Sequence, residues 1–321
     1  MVILNYFASL NPLNLLKALP GGAAQGIVWG IMALGVYITF RLLDIADLTV
    51  DGSFTTGGAT AVVLILAGVP APLALLGATA AGILAGLVTG LLHTRLGIPA
   101  ILSGILTQFA LYSINLHIMG GWRGVANRSV NPDQFSLLIT SRTVSRSILV
   151  GLVLAALIIG VLYWYFGTEQ GSAIRATGSN PAMCRALGIN IDNMKVIGLA
   201  VSNGLVALSG GLMAQYQGSA DINMGRGSIV IGLAAVIIGE VLCDLVFPKG
   251  SNFGVRLAFL ILGGIVYYLV VVVVLWLKLP SNDLKLFTAA VVALFLAIPH
   301  MQAQSRSFFK QHDRKGGKTH A

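Results

Sequence analysis

Along this chain, runs of apolar residues alternate with short polar breaks on a scale that fits membrane-spanning helices. Residues 18–40, 52–94, 96–122, 147–168, 196–220, 257–277 and 286–305 contain no Asp, Glu, Lys or Arg. A bilayer core takes about 20 apolar residues per helix, and each run supplies that many. Residues 52–94 supply two helices, with Gly68-Val69-Pro70-Ala71-Pro72 as the turn between them. Residues 227–247 form a further candidate span, interrupted by Glu240 and Asp244. The pattern predicts an all-α polytopic membrane protein with about nine transmembrane or partly spanning helices. Strands are excluded because an isolated strand in lipid leaves its backbone groups unpaired.

Three regions follow: an N-terminal interfacial segment over 1–20, a transmembrane domain over 21–300, and a basic tail over 301–321. The first segment lacks the basic n-region of a secretory signal, and Pro12 interrupts its apolar run.

The largest polar interruption, residues 167–195, carries the signals of one very short helix. Asn180 suits the N-cap, Pro181 the first helical position, and Gly188 the position that ends the helix. A helix of about 10 Å is not stable alone in water. Met183, Ala186 and Leu187 fall on one face at i, i+3, i+4 spacing, which predicts a docking surface.

A faint internal repeat accompanies the spans. Gly52-Ser53-Phe54-Thr55-Thr56-Gly57, then Ala59, recurs at a constant offset as Gly227-Ser228-Ile229-Val230-Ile231-Gly232, then Ala234. An odd number of crossings separates the two units, so they would run in opposite directions. Inverted repeats whose interrupted helices line a central site are a transporter design. Gly82, Gly86 and Gly90 make a small-residue stripe, and Gly26 with Gly30 makes another; both read as helix-packing surfaces.

Composition agrees: 56% of residues are apolar and 10% charged, with a mean hydropathy of +0.86. The net charge of +9 does not indicate nucleic acid. Arg306, Lys310, Arg314, Lys315 and Lys318 crowd the tail, and basic flanks mark the cytoplasmic side of a span. Counting back from a cytoplasmic C-terminus puts the N-terminus outside and 167–195 in the cytoplasm. Residues 121–146 then fall outside despite Arg123, Arg128, Arg142 and Arg146. Cys184 and Cys243 show no metal spacing, nor do His93, His117 and His300.

The candidate chemistry lies in a few polar residues within apolar surroundings. In the stretch around Asp44, Asp47 and Asp51, the carboxylates and Arg41 would share one stripe if it were helical. One reading is a capped helix end, with Asp47 or Ser53 capping the next span and Arg41 neutralising Asp44. The other is a broken-helix element from Asp47 to Phe54 beside a translocation path, with Asp51 on it. Glu240 and Ser228 on a later span and Asn203 on the span after the island complete the candidate path. No phosphate-binding G-x-x-x-x-G-K-[ST] loop, nucleophile elbow or H-E-x-x-H occurs, so no catalysis is expected of this chain.

Several strings resemble the permease subunits of bacterial ATP-binding-cassette (ABC) importers, in the class of branched-chain amino-acid and ribose permeases. They are Asp47-Leu48-Thr49-Val50-Asp51-Gly52-Ser53-Phe54, Leu102-Ser103-Gly104-Ile105-Leu106-Thr107 and Leu111-Tyr112-Ser113-Ile114-Asn115-Leu116. Ala176-Thr177-Gly178-Ser179-Asn180-Pro181, Ala186-Leu187-Gly188-Ile189 and Gly232-Leu233-Ala234-Ala235-Val236-Ile237-Ile238-Gly239-Glu240 add to them. The likeness is greatest to putative tryptophan/tyrosine-type permeases. It implies that Asn180-Pro181-Ala182-Met183-Cys184-Arg185-Ala186-Leu187-Gly188 is a coupling helix seated on a separate ATPase, which binds the ATP and Mg. It also implies a second permease copy as a homodimer partner, an extracytoplasmic substrate-binding protein, and an inner-membrane location. Met183 and Cys184 make this helix more apolar than is usual for the class. A secondary transporter driven by an ion gradient is the alternative, with Asp51 or Glu240 carrying the proton.

Overall fold

The computed structural model describes residues 12–247 and 250–277, with isolated helical positions at 286, 289, 290, 293 and 297. Helix α1, Pro12–Tyr37, runs on through a π-type turn, Ile38–Leu42, as one span. Then come α2 Val50–Leu66, α3 Ala71–Thr94, α4 Ala100–Gly120, β1 Asn127–Ser129 and α5 Val144–Gly167. The chain continues with α6 Glu169–Ser179, α7 Pro181–Ala186, α8 Ile191–Gln217, β2 Ser219–Asp221, α9 Ser228–Val246 and α10 Phe253–Trp276. Seven helices among the described residues are long and apolar enough to cross a membrane, and α2 is a shorter apolar helix. These account for every predicted span up to residue 277. The remaining candidate span and the basic tail fall largely outside the described residues, as do residues 1–11.

The turn expected between α2 and α3 forms because Gly68 adopts a φ of +86° and Pro70 starts the next helix. At the other end of the first span the helix does not simply stop. From Leu43 to Thr49 the chain is irregular, turning at Asp44 with a φ of +55°, with Leu43, Ile45, Asp47 and Thr49 buried and Asp44 and Ala46 exposed.

Helices α1 and α8 form the centre of the bundle. Ile31, Met32, Ala33 and Leu34 are fully buried, as are Val206, Ala207, Leu212 and Ala214. Helices α4 and α5 lie outside, where Phe109 and Trp164 are each 71% exposed. Apolar residues facing outward and small residues facing inward are what a lipid environment selects. The stripe Gly82, Gly86 and Gly90 on α3 shows this: each glycine presses on the backbone of α8, near Asn203, Leu199 and Val196 respectively. The Gly26 and Gly30 pair does the same against Gly264 and Ile261 on α10.

Cross-helix contacts set the direction of each helix. Tyr216 donates to the Gly21 carbonyl, Ser209 to Val28 and Ser202 to Gly35, so α8 runs antiparallel to α1. Ser53 meets Asn203 while Ala61 lies near Gly211, so α2 runs parallel to α8. Gly232 rests on Met32 and Val36 while Glu240 meets Arg41, so α9 runs parallel to α1. Helices α2 and α9 therefore run in opposite directions. The loop carrying Arg123, Arg128 and Arg142 is tied down by β1 pairing with β2, Asn127 opposite Asp221. That two-stranded sheet lies at the end of α8 farthest from α7, so the two basic loops sit at opposite ends of the bundle, as the span count requires.

Candidate translocation site and docking helix

The irregular break removes the helical stripe of carboxylates. Asp44, with its φ of +55°, Asp47 and Asp51 have three separate surroundings. Arg41 does not neutralise Asp44; its Nε lies 2.9 Å from Glu240 Oε1. The reason is that the π-type turn carries Arg41 towards α9 and the chain then reverses into the break.

Asp47 is 3% exposed, and donors surround it. Its Oδ1 accepts from the Thr49 backbone N–H at 2.9 Å, and its Oδ2 from Asn203 Nδ2 at 2.7 Å. Asn203 in turn accepts the Ser53 hydroxyl at 2.6 Å. A carboxylate in lipid survives only when it is paired in this way. Beside it the hydroxyls of Thr49, Thr89 and Thr107 stand in line, 2.8 Å and 2.9 Å apart. Sequence reading found Asp47, Ser53 and Asn203 but missed this threonine line, which joins α2, α3 and α4. Phe54 lies in the core, its ring stacked 4.8 Å from that of Trp29.

Asp51 has a different task. Its Oδ2 accepts from the Gly227 N–H at 2.9 Å, and its Oδ1 from the Ser228 hydroxyl at 2.8 Å and the Ile229 N–H at 3.0 Å. It thus caps the first turn of α9 from across the bundle, where the helix dipole favours negative charge. Both members of the sequence repeat stand here: Gly52-Ser53 in the first turn of α2, Gly227-Ser228 in that of α9. Two helices of 17 and 19 residues start at one place and leave in opposite directions. At 1.5 Å per residue the first falls short of the ~30 Å of a hydrocarbon core and the second only approaches it. Their common starting point is an interior one, near the middle of α8.

A cavity of about 360 Å³ opens beside that junction, lined by Asp51, Thr55, Gln108, Phe109, Tyr112, Asn115, Ile222 and Arg226 among others. Of the candidate path residues only Asp51 lines it. Asp47, Ser53 and Asn203 sit behind the wall, Ser228 is fully buried beneath the Asp51 carboxylate, and Glu240 lies nearer the α7 end of the bundle. Gln108 and Arg226 escaped the sequence reading, and Asn115 entered it only within a family string. The two amides Gln108 and Asn115 on one apolar span were the available signal.

The short helix forms as the capping residues dictate. Asn180 accepts from the Met183 N–H at 3.0 Å, Pro181 opens α7, and Gly188 ends it with a φ of +79°. Cys184 is fully buried and anchors the helix to the protein body. Met183 and Leu187 point away from it, 50% and 69% exposed, with Arg185 also exposed. An apolar face is thus presented at the end of the bundle rather than to lipid.

These features agree with the comparison to known proteins. The family described as branched-chain amino acid transport system / permease component matches residues 19–299. The chain belongs to this permease family. It is 39% identical to a tyrosine transport system permease protein of Clostridioides difficile over 85% of this chain and 88% of that one. The ribose import permease protein RbsC of Escherichia coli K12 is 27% identical over 64% of this chain and 61% of its own length. Among solved structures, PsaBC from Streptococcus pneumoniae in complex with Fab aligns loosely, with a TM-score of 0.38 and 16% identity. That alignment covers 84% of this chain and 95% of the other. This permease is accordingly a multi-pass protein of the bacterial inner membrane and a transport component of the ABC type.

Proposed function

We propose that this permease passes an amino acid into the cell by ATP-driven alternating access, with no covalent chemistry of its own. The single observation that carries the reading is the exposed apolar face of α7, held out by a buried Cys184 and capped at both ends. A membrane protein gains nothing by exposing Met183 and Leu187 to water unless a partner covers them. The partner in this reading is a separate ATPase subunit, which supplies the ATP and Mg sites. Asn180 to Gly188 is the coupling helix that it grips.

A second copy of the chain completes the pathway as a homodimer, and an extracytoplasmic binding protein delivers the solute at the end that carries β1 and β2. That end is then extracytoplasmic, and the α7 end cytoplasmic. Asp47, Asp51, Ser53, Phe54, Asn203, Ser228 and Glu240 belong to the moving or lining parts of the path. The amino-acid substrate is favoured by the tyrosine system relative, the more similar of the two named transporters. ATP shifts the access equilibrium only through its different affinity for the two states.

The test is purification of the membrane complex through this chain, mass identification of its companions, and uptake by the reconstituted complex. Recovery of an ATPase and ATP-dependent uptake of an amino acid are expected. Uptake that continues without ATP and collapses with an uncoupler would instead establish a secondary transporter using Asp51 or Glu240.

A further inference from the structure

Two arginines at the α7 end of the bundle take no part in the path or in α7 itself. Arg175 on α6 lies over the ring of Phe253, 5.5 Å from its centroid. Among the described residues it has no ion pair, and its hydrogen bond to the Ser172 hydroxyl is a long 3.5 Å. Arg256 stands one turn beyond Phe253 on α10, donates to the Tyr37 hydroxyl, and has the exposed Asp244 at 3.9 Å. Phe253 links the two, since its ring also lies 6.4 Å from that of Tyr37. The neighbouring Arg41 is already held by Glu240. Positive charge is therefore in surplus here, and Arg175 carries the unmatched part of it.

These arginines stand where two spans meet the headgroup layer. Helix α5 ends at Gly167 and α10 begins at Phe253, and the rings of Phe166 and Phe253 meet edge to face at 5.5 Å. Tyr163 lies against the first turn of α10, beside Gly254. Tyr163 and Trp164 are 58% and 71% exposed. Aromatic rings at a span end, with cations just beyond them, mark a membrane–water interface. Deeper along α5, Val161 and Leu157 stand exposed at helical spacing from Trp164. An ATPase on α7 covers the end of the bundle, whereas this seam between α5 and α10 opens on its flank.

We propose that the seam holds one anionic phospholipid, its phosphate on Arg175 and Arg256 and an acyl chain along Val161 and Leu157. A guanidinium takes phosphate oxygens through paired N–H bonds, and basic pockets between spans on the cytoplasmic side suit anionic headgroups. A zwitterionic headgroup brings its own cation into a place already rich in positive charge. The bound lipid braces α6 against α10, and α6 leads directly into α7. It thereby steadies the docking helix from the side. Placing the lipid in the inner leaflet rests on the permease reading; the binding itself does not.

The test is native mass spectrometry of the full chain released from nanodiscs of mixed phosphatidylglycerol and phosphatidylcholine, with melting curves in each lipid alone. Preferential retention of phosphatidylglycerol is expected, together with a higher melting temperature in that lipid. Retention should fall by roughly tenfold when Arg175→Gln and Arg256→Gln are combined. It should fall less in Arg175→Lys, which keeps the charge but loses the planar fork. Arg128→Gln, at the opposite end of the bundle, should retain as much as the wild type. The basic tail is the same in all these proteins, so differences among them report the seam. Arginines with a structural role alone would lower the melting temperature equally in both lipids and leave retention unchanged. That result, equal retention of the two lipids by the wild type, or displacement of phosphatidylglycerol by inorganic phosphate would overturn the site. ATP-driven uptake by the reconstituted complex is scored separately, so either reading can fail while the other stands.

Discussion

Asp51 and Ser228 are joined by a 2.8 Å hydrogen bond across 177 positions of sequence. Through it the first turn of α2 holds the first turn of α9, and the two helices diverge from there. The junction couples the two halves of the chain at one carboxylate, in the interior of the bundle. A rigid-body shift of one half against the other must either carry this bond along or break it.

Asp51→Ala removes the acceptor of three donors on α9. Loss of a cap costs about 0.5–2 kcal/mol, and the buried Ser228 hydroxyl loses its acceptor as well. The variant should melt several degrees lower in detergent and transport poorly. Asp51→Asn, which keeps one acceptor oxygen, should fall between the two. A melting curve of Asp51→Ala that overlays the wild type would show that α9 does not depend on this cap.

Much of this was legible in the sequence, and what was not has a physical reason. The spans, the turn at Gly68 and Pro70, and the capped α7 follow from local signals: apolar length, a glycine at positive φ, and Asn and Pro at a helix start. The repeated Gly-Ser pair marked the two helix starts, but nothing local told that they meet. The Arg41–Glu240 pair and the threonine line link positions far apart in the chain, and only packing brings them together. The carboxylate stripe failed because it assumed helix through residues 43–49, where burial alternates as in a strand. Asn115 was quoted within a family string, yet only its missing partners set it apart.

Close helix approach makes a sharp contrast between two glycines. At Gly86 a Cβ would collide with the Leu199 carbonyl, whereas at Gly160 nothing lies within 4 Å. Gly86→Val should force α3 from α8 and cost about 1–3 kcal/mol or more. Gly160→Ala should be neutral, or stabilise by up to about 1 kcal/mol through helix propensity. Expression level and melting temperature read both, and equal behaviour of the two variants would contradict the packing of α3 on α8.

The Arg41–Glu240 pair ties the end of α1 to α9, with the Arg41 side chain 57% exposed and Glu240 15% exposed. Solvent screens such a pair, so its coupling should be about 1 kcal/mol or less. A double-mutant cycle with Arg41→Gln and Glu240→Gln measures that term directly. The larger effect is expected in transport, because the pair bridges α1 and α9, which run towards the same end of the bundle. The charge-reversed pair, Arg41→Glu with Glu240→Arg, should recover more activity than either single reversal. Absence of recovery would mean that Glu240 acts on something other than Arg41.

The docking helix gives the most direct test of coupling. Leu187 and Met183 are exposed while Cys184 is buried, so neighbouring positions of one short helix have opposite expected reactivities. In the isolated permease a maleimide should modify Leu187→Cys quickly and leave native Cys184 unlabelled. In the complex with its ATPase the Leu187→Cys label should be lost, because the covered face no longer meets solvent. Arg185→Glu, or an insertion between Pro181 and Leu187, should leave the permease folded and inserted while ATP hydrolysis no longer drives uptake. Arg185 sits on the exposed side of α7, so folding and membrane insertion are not at stake in its replacement. Continued labelling of Leu187→Cys in the assembled complex, together with normal uptake in the Arg185 variant, would move the ATPase contact elsewhere on the chain.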